Sequence, residues 1–402
     1  MPRFSLETIR EEFPALRDRV FLDAACVSLA SRSAVAAVET FLAMARDCPE
    51  PSATLHHIAM DDMRAAARPS VARLINAEEN EIALVESTTH GLSIAAQAIP
   101  LESGDRVLLC DLEFMQVAIP WMQLASRGVE LDCVASRNGE VSPESIAGRI
   151  TPRTRVVAVS SVQWSNGFRC DLAALSRFCR ERGVWLVVDA TQQLGAVPID
   201  VQQTPVDFLA CGGHKWLNAP FGCGFLYIRR DAMPRLHPPL AGYLSVETPE
   251  GGWGAYFQTP SISPIRPYSF VRAARRFEVG GTANYPGAVG LAASLEIFHA
   301  LGQENIAEHI FGLTDHLIAG LDALGVQIVS PRAREKRAGI VTFSLGAPEQ
   351  NARLMDELLA RRILVSVRYT SNIGGVRVSC HFYNRRGDVD ALLNAVDEHR
   401  KP

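Results

Sequence analysis

Lysine is the scarce residue of this chain. Of 40 basic side chains only three are lysines, Lys215, Lys336 and Lys401, and the other 37 are arginines. Arginine serves wherever a surface charge is wanted but keeps its proton in a protein, whereas a desolvated lysine becomes a nucleophilic amine. Lys336 falls in the charged run Arg332-Ala333-Arg334-Glu335-Lys336-Arg337 and Lys401 is the penultimate residue, both surface positions. Lys215 lies instead in Cys211-Gly212-Gly213-His214-Lys215-Trp216-Leu217, among small and aromatic residues. It is the candidate for amine chemistry, the alternative being an incidental loop lysine.

Three further segments carry groups that such chemistry could use. In Glu86-Ser87-Thr88-Thr89-His90-Gly91 a strand runs through hydroxyls into a helix. The free N–H groups and positive dipole end there could cradle a phosphate, or the hydroxyls could simply cap the helix. In Val184-Trp185-Leu186-Val187-Val188-Asp189-Ala190-Thr191-Gln192 four apolar residues deliver an aspartate to a strand's carboxyl end. That is where open α/β sheets bind ligands, and a carboxylate buried there calls for a cationic partner such as a protonated pyridine nitrogen. A helix cap is the alternative. In Val376-Arg377-Val378-Ser379-Cys380 an arginine flanked by strand formers could fork two N–H bonds to a substrate carboxylate, or make a structural ion pair.

An amine, a phosphate cradle, a buried acid and a carboxylate-binding arginine are what pyridoxal 5'-phosphate chemistry on an amino acid requires. In order and spacing the segments resemble the class V aminotransferase family of fold-type-I pyridoxal-phosphate enzymes, which includes cysteine desulfurases, kynureninase and isopenicillin N epimerase. Phe21-Leu22-Asp23-Ala24-Ala25 resembles the family's N-terminal strand motif, and Arg276-Phe277-Glu278-Val279-Gly280-Gly281-Thr282-Ala283-Asn284 its Phe-Glu…Gly-Thr-x-Asn segment. The resemblance implies that Lys215 carries the cofactor as a Schiff base and that Asp189 pairs with the pyridinium nitrogen. It puts Gln192 near the phenolic oxygen, and Thr88, Thr89, the backbone of His90 and His214 around the phosphate. Phe114 would stack on the ring, and Arg377 would take the substrate carboxylate. Gly281 and Thr282 would reach the partner subunit's phosphate, which implies a homodimer with shared sites.

The resemblance also implies a reaction on an amino acid, a small-molecule substrate, through an external aldimine and a quinonoid. Transamination is the nominal outcome, with C–S β-elimination or epimerisation as alternatives. Cysteine desulfurases carry a nucleophilic cysteine on a loop before the carboxylate-binding arginine, and positions 364–376 here contain none. Persulfide transfer is therefore disfavoured. A catalytically silent, ligand-binding homologue is the reading of another class; the presence of both Lys215 and Asp189 speaks against it. His56, His57 and Trp164 could line a pocket but are as readily explained by packing.

These groups need a scaffold, and the apolar pattern supplies one. Short runs recur at 82–85, 107–110, 156–159, 185–188 and 208–211, with helix-length patterns at 91–98, 115–126 and 172–182 between several of them. Such alternation predicts a mostly parallel sheet buried on both faces, an α/β fold, with a seven-stranded sheet implied by the resemblance. The run 225–228 follows too closely for a long crossover and should add antiparallel or at an edge. Helices are expected at 33–44, 60–74, 288–301, 304–324 and 350–361, strands at 339–345 and 376–380, and a loop-rich stretch at 236–285. The expected organisation is an N-terminal segment (1–20) packing with the small domain, a large cofactor domain (21–285) and a small C-terminal α/β domain (286–402).

Composition narrows the class further. With 40 basic and 44 acidic side chains the formal charge is −4, leaving no basic excess for nucleic acid. No apolar run spans a bilayer, no signal-like segment opens the chain, and nine scattered cysteines do not form a disulfide framework. A cytoplasmic protein without a metal site is expected.

Overall fold

The computed structural model describes residues 4–401. Its strands are β1 (Val20–Phe21), β2 (Ile82–Val85), β3 (Arg106–Cys110), β4 (Glu130–Val134), β5 (Thr154–Ser160), β6 (Trp185–Asp189), β7 (Phe208–Gly212), β8 (Gly224–Ile228), β9 (Gln327–Ile328), β10 (Ile340–Ser344), β11 (Ile363–Leu364), β12 (Ser366–Thr370) and β13 (Ile373–Ser379). The helices are α1 (Arg32–Asp47), α2 (Ala53–Ala65), α3 (Ala67–Ile75), α4 (Thr88–Ala98), α5 (Met115–Met122), α6 (Pro143–Ala147), α7 (Leu172–Glu181), α8 (Gly252–Phe257), α9 (Tyr285–Leu301), α10 (Gln303–Ala323), α11 (Pro348–Ala360) and α12 (Arg386–Arg400). None of them is long and apolar enough to cross a membrane.

A seven-stranded sheet in the order β2-β8-β7-β6-β5-β3-β4 forms the centre. Alternate residues enter opposite cores: Leu186 and Val188 pack with α7 and α9 on one face, and Val187 packs with α4 and α5 on the other. Burial on both faces is why these strands read as unbroken apolar runs. β8 is antiparallel to both neighbours and lies inside the sheet between β2 and β7, not at its edge. The other strands all point the same way, so their carboxyl ends form one rim. β9, β10, β12 and β13 make a smaller antiparallel sheet. β1 pairs with β11, and Arg10 forms an ion pair of 2.6 Å with Asp388, so the chain's start packs on elements near its end.

The single helix expected over 60–74 is two helices broken between Ala65 and Ala67. Pro69 explains the break, since its ring clashes with the carbonyl four residues earlier, at Ala65. α5 contains Pro120 and passes into 3₁₀ turns at Gln123–Arg127.

Glu278 ties the loop-rich stretch to the sheet. Its buried carboxylate accepts from Arg64 (2.9 Å), Arg68 (2.6 Å) and the backbone N–H of Leu84 (2.9 Å). Burial alone would raise its pKa, but Arg68 and Arg64 outweigh that and hold it below the ordinary carboxylate value. Glu278→Ala should leave two buried guanidinium groups uncompensated and cost about 3–5 kcal/mol in denaturant unfolding. Because the folded pKa is depressed, the contribution is complete above the unfolded value near ~4.3 and is lost as pH falls through the folded value. The gap between wild type and variant should therefore close in acid; a gap that persists there refutes the assignment.

Candidate active site

The rim at the strands' carboxyl ends gathers most of the residues singled out by sequence. Thr88 follows β2, Phe114 follows β3, Asp189 closes β6 and Lys215 lies in the turn after β7. Lys215 Nζ stands 5.7 Å from the centroid of the Phe114 ring and makes no hydrogen bond or ion pair among the described residues. Burial pushes its pKa below the ordinary lysine value; Asp189 opposes this and Arg377 adds to it. The other lysines differ. Lys336 pairs with Glu140 and Lys401 with Asp397, each at 2.7 Å, and both pKa values are raised by those bonds.

Asp189 is buried. One carboxylate oxygen accepts the Thr191 N–H (2.9 Å) and the other the Gln116 side-chain amide (2.7 Å). Gln116, on α5, also accepts from the Thr89 hydroxyl at 3.3 Å and so links the acid to the start of α4. The position of Phe114 is set from behind by Glu113, whose buried carboxylate accepts from the Ser160 N–H (3.0 Å), the Ser160 hydroxyl and Gln163 (2.9 Å). Burial raises the Glu113 pKa, and these bonds pull it partly back. On its other side Phe114 meets Trp164 edge to face, ring centroids 5.2 Å apart. Trp164 thus belongs to the site, and its indole N–H is buried without a partner among the described residues.

Thr88 and His214 frame a narrow space over Gly212. A Cβ at Gly212 would stand 2.9 Å from Thr88 Oγ1 and 3.2 Å from His214 Nδ1, so only glycine leaves the space open. The Thr88 hydroxyl bonds that of Thr191 at 2.7 Å. Burial, aided by Lys215, lowers the His214 pKa to about 4, and its ring stacks on Phe221. The His90 N–H bonds the Ser87 hydroxyl that caps α4, while Thr89 is exposed. Gln192 spends its carbonyl on the Trp216 indole (2.8 Å) and one N–H on Ala25 O (3.0 Å).

Arg377 arrives from the small sheet, 1% exposed. It donates to Trp164 O (2.9 Å) and to Asp23 (3.1 Å), while its Nε has no acceptor among the described residues. Gly281 and Thr282 are not brought to Lys215 within the chain; Thr282 is exposed. His56 and His57 lie on α2, where His57 is 3.9 Å from Asp61. A surface cavity of about 1000 Å³, lined by Arg137, Asp171, Asp200 and Lys336 among others, lies apart from these residues.

The class V aminotransferase family model matches residues 20–392, nearly the whole chain. The chain belongs to that family. It is 28% identical over 405 residues to a probable cysteine desulfurase of Pyrococcus abyssi, covering 98% of this chain and 97% of that protein. It is 30% identical over 341 residues to isopenicillin N epimerase of Streptomyces clavuligerus, covering 82% and 83%. A solved structure of the cystine C–S lyase C-DES with cysteine persulfide superposes with a TM-score of 0.86 at 24% identity, covering 96% and 99%.

The family's cofactor is pyridoxal 5'-phosphate, and this site suits it. A desolvated amine without a partner, a buried carboxylate on the rim and a glycine-kept space between a hydroxyl and an imidazole match its aldehyde, pyridine nitrogen and phosphate. Lys215, Asp189, Thr88 and His214 would hold it, with Phe114 against its ring. Borohydride reduction of loaded protein followed by peptide mapping should place the pyridoxyl group on Lys215. An adduct on Lys336 or Lys401 instead would refute the assignment.

Proposed function

We propose that the chain is a pyridoxal-phosphate enzyme that removes the α-proton of an amino acid, with transamination as the outcome. The observation that carries this is the Lys215 amine, free of hydrogen bonds among the described residues and under opposing influences of Asp189 and Arg377. The bound cofactor would supply an electron sink for the α-carbon. Arg377 has N–H groups left over, Nε among them, to fix the substrate carboxylate. Lys215 would move the proton, its lowered pKa bringing a free base closer to neutral pH. Phe114 and Trp164 would keep water from that face.

Persulfide transfer through a loop cysteine finds no support in the backbone. β12 and β13 are joined by a two-residue turn, Ser371 and Asn372, with φ of 48° and 64°. No loop stands between Arg368 and Arg377 to carry a nucleophile, although relatives bear the name desulfurase.

A second copy of the chain completes this reading. Met115, Ile119 and Met122 form an exposed apolar stripe along α5 beside the rim, and Phe221 is 69% exposed next to His214. Surface of that kind marks an interface, and Thr282 would then serve the partner's phosphate. All nine cysteines are free, in keeping with a cytoplasmic location.

The deciding experiment is a stopped-flow screen of amino acids with product identification. A keto acid with pyridoxamine phosphate supports transamination; a racemised amino acid, or pyruvate with ammonia, replaces it with epimerisation or elimination. No spectral change with any amino acid would favour a silent binding protein. Asp189→Ala should slow α-proton exchange by about 10²-fold or more. Exchange at the wild-type rate would remove Asp189 from its role.

A further inference from the structure

Cys26 was no part of the sequence-based site, yet the fold sets its thiol beside the pocket. It is exposed, whereas Cys110, Cys170, Cys179, Cys211, Cys223 and Cys380 are buried. The turn that bears it is tied to site residues at several points. Ala25 O accepts from Gln192 (3.0 Å), Ser28 N–H donates to His214 O (3.0 Å), and Asp23 receives both Arg377 and the Ser366 hydroxyl. Cys26 N–H closes the turn on Asp23 O at 3.0 Å.

A cation touches this thiol. Arg368 Nη2 lies 3.5 Å from its sulfur. In the β12–β13 register Ser366 faces Arg377 and Arg368 faces Gly375, so Arg368 and Arg377 project from one face of the hairpin, diagonally adjacent. Cys26 is also close enough to Lys215 and Arg377 for a charge on its sulfur to favour the protonated form of each. Asp23 is the nearby anion, already engaged by Arg377 and Ser366. Nε of the 1% exposed Arg377 is a buried donor with no acceptor among the described residues. An accessible thiol beside guanidinium groups meets anionic disulfides at a raised local concentration, and an unsatisfied guanidinium N–H calls for an anionic ligand.

We propose that Cys26 is a thiol–disulfide exchange site of the pocket, taking small disulfides that carry a carboxylate. Its sulfur attacks one sulfur of the disulfide and a new S–S bond forms to Cys26. The old S–S bond breaks, and the leaving sulfur departs with the bonding pair and takes up the proton that Cys26 gives up. Cys26 is oxidised and the departing half reduced, with no further oxidant. The mixed disulfide stands in front of Arg368 and Arg377 and closes the pocket to amino acids until a thiol removes it. This exchange needs neither cofactor nor turnover, so it stands or falls apart from the reading above.

The test uses the purified full chain with 5,5'-dithiobis(2-nitrobenzoate), a dianionic disulfide, following released nitrothiolate and mapping the labelled peptides. Cys26 should react about tenfold faster than the exposed Cys48 and Cys133, and Arg368→Ala should remove that advantage. Arg368→Lys should retain most of it, and the rate with neutral 2,2'-dithiodipyridine should be the same in wild type and in both variants. Cys26→Ser should abolish the fast phase. The proposal is overturned if Cys48 or Cys133 labels first, if the fast phase survives Cys26→Ser, or if Arg368→Ala slows both probes alike.

Discussion

An amine has to leave water to become a nucleophile, and the site is organised around that constraint. Lys215 is half-buried where Asp189 favours its charge and Arg377 opposes it, with desolvation the largest influence of the three. Each neighbour comes from a different element, and they meet only because the parallel strands end on one rim. Lys215 hangs from β7 and Asp189 from β6, while Arg377 reaches in from β13 across the Asp23 turn. Desolvation of one side chain thus depends on the small sheet being held against the 164–166 segment beside the rim.

The supports of the site are themselves buried polar groups, each satisfied by a partner far along the chain. Glu113 holds the Phe114 turn through Ser160 and Gln163, and Gln116 holds Asp189. Glu278 holds the 276–278 segment to β2 through Leu84 and Arg68. Such networks fix geometry tightly when every member is bonded, and they fail together when one is not. The hairpin adds a strut, as Ser371 Oγ at its tip donates to Asp111 O at 2.8 Å.

Much of this was legible in the sequence, for reasons particular to each element. Strands buried on both faces read as apolar runs, and six of them were visible. β4 was not, because an edge strand can carry Glu130 and Asp132. Nor was β12, whose Arg368 and Tyr369 serve the pocket side and solvent rather than a core. Lys215 stood out by scarcity, and Asp189 and Arg377 by their strand contexts. Gln116 on Asp189 and Arg368 on Cys26 left no local trace, since the partners are 73 and 342 residues apart. Trp164 was seen and set aside; only its contacts with Phe114 and Arg377 give it a role.

The two surface lysines give the scarcity of lysine a chemical consequence. Aldehydes condense with unprotonated amines, and an exposed amine held in an ion pair stays protonated. Lys336 and Lys401 are both held that way, by Glu140 and Asp397. The 37 arginines offer an aldehyde no comparable amine. Apart from its N-terminus, the chain therefore offers a carbonyl reagent essentially one receptive side chain. Covalent loading becomes a question of access to a single nitrogen rather than of competition among many, and the surface stays free of stray imines.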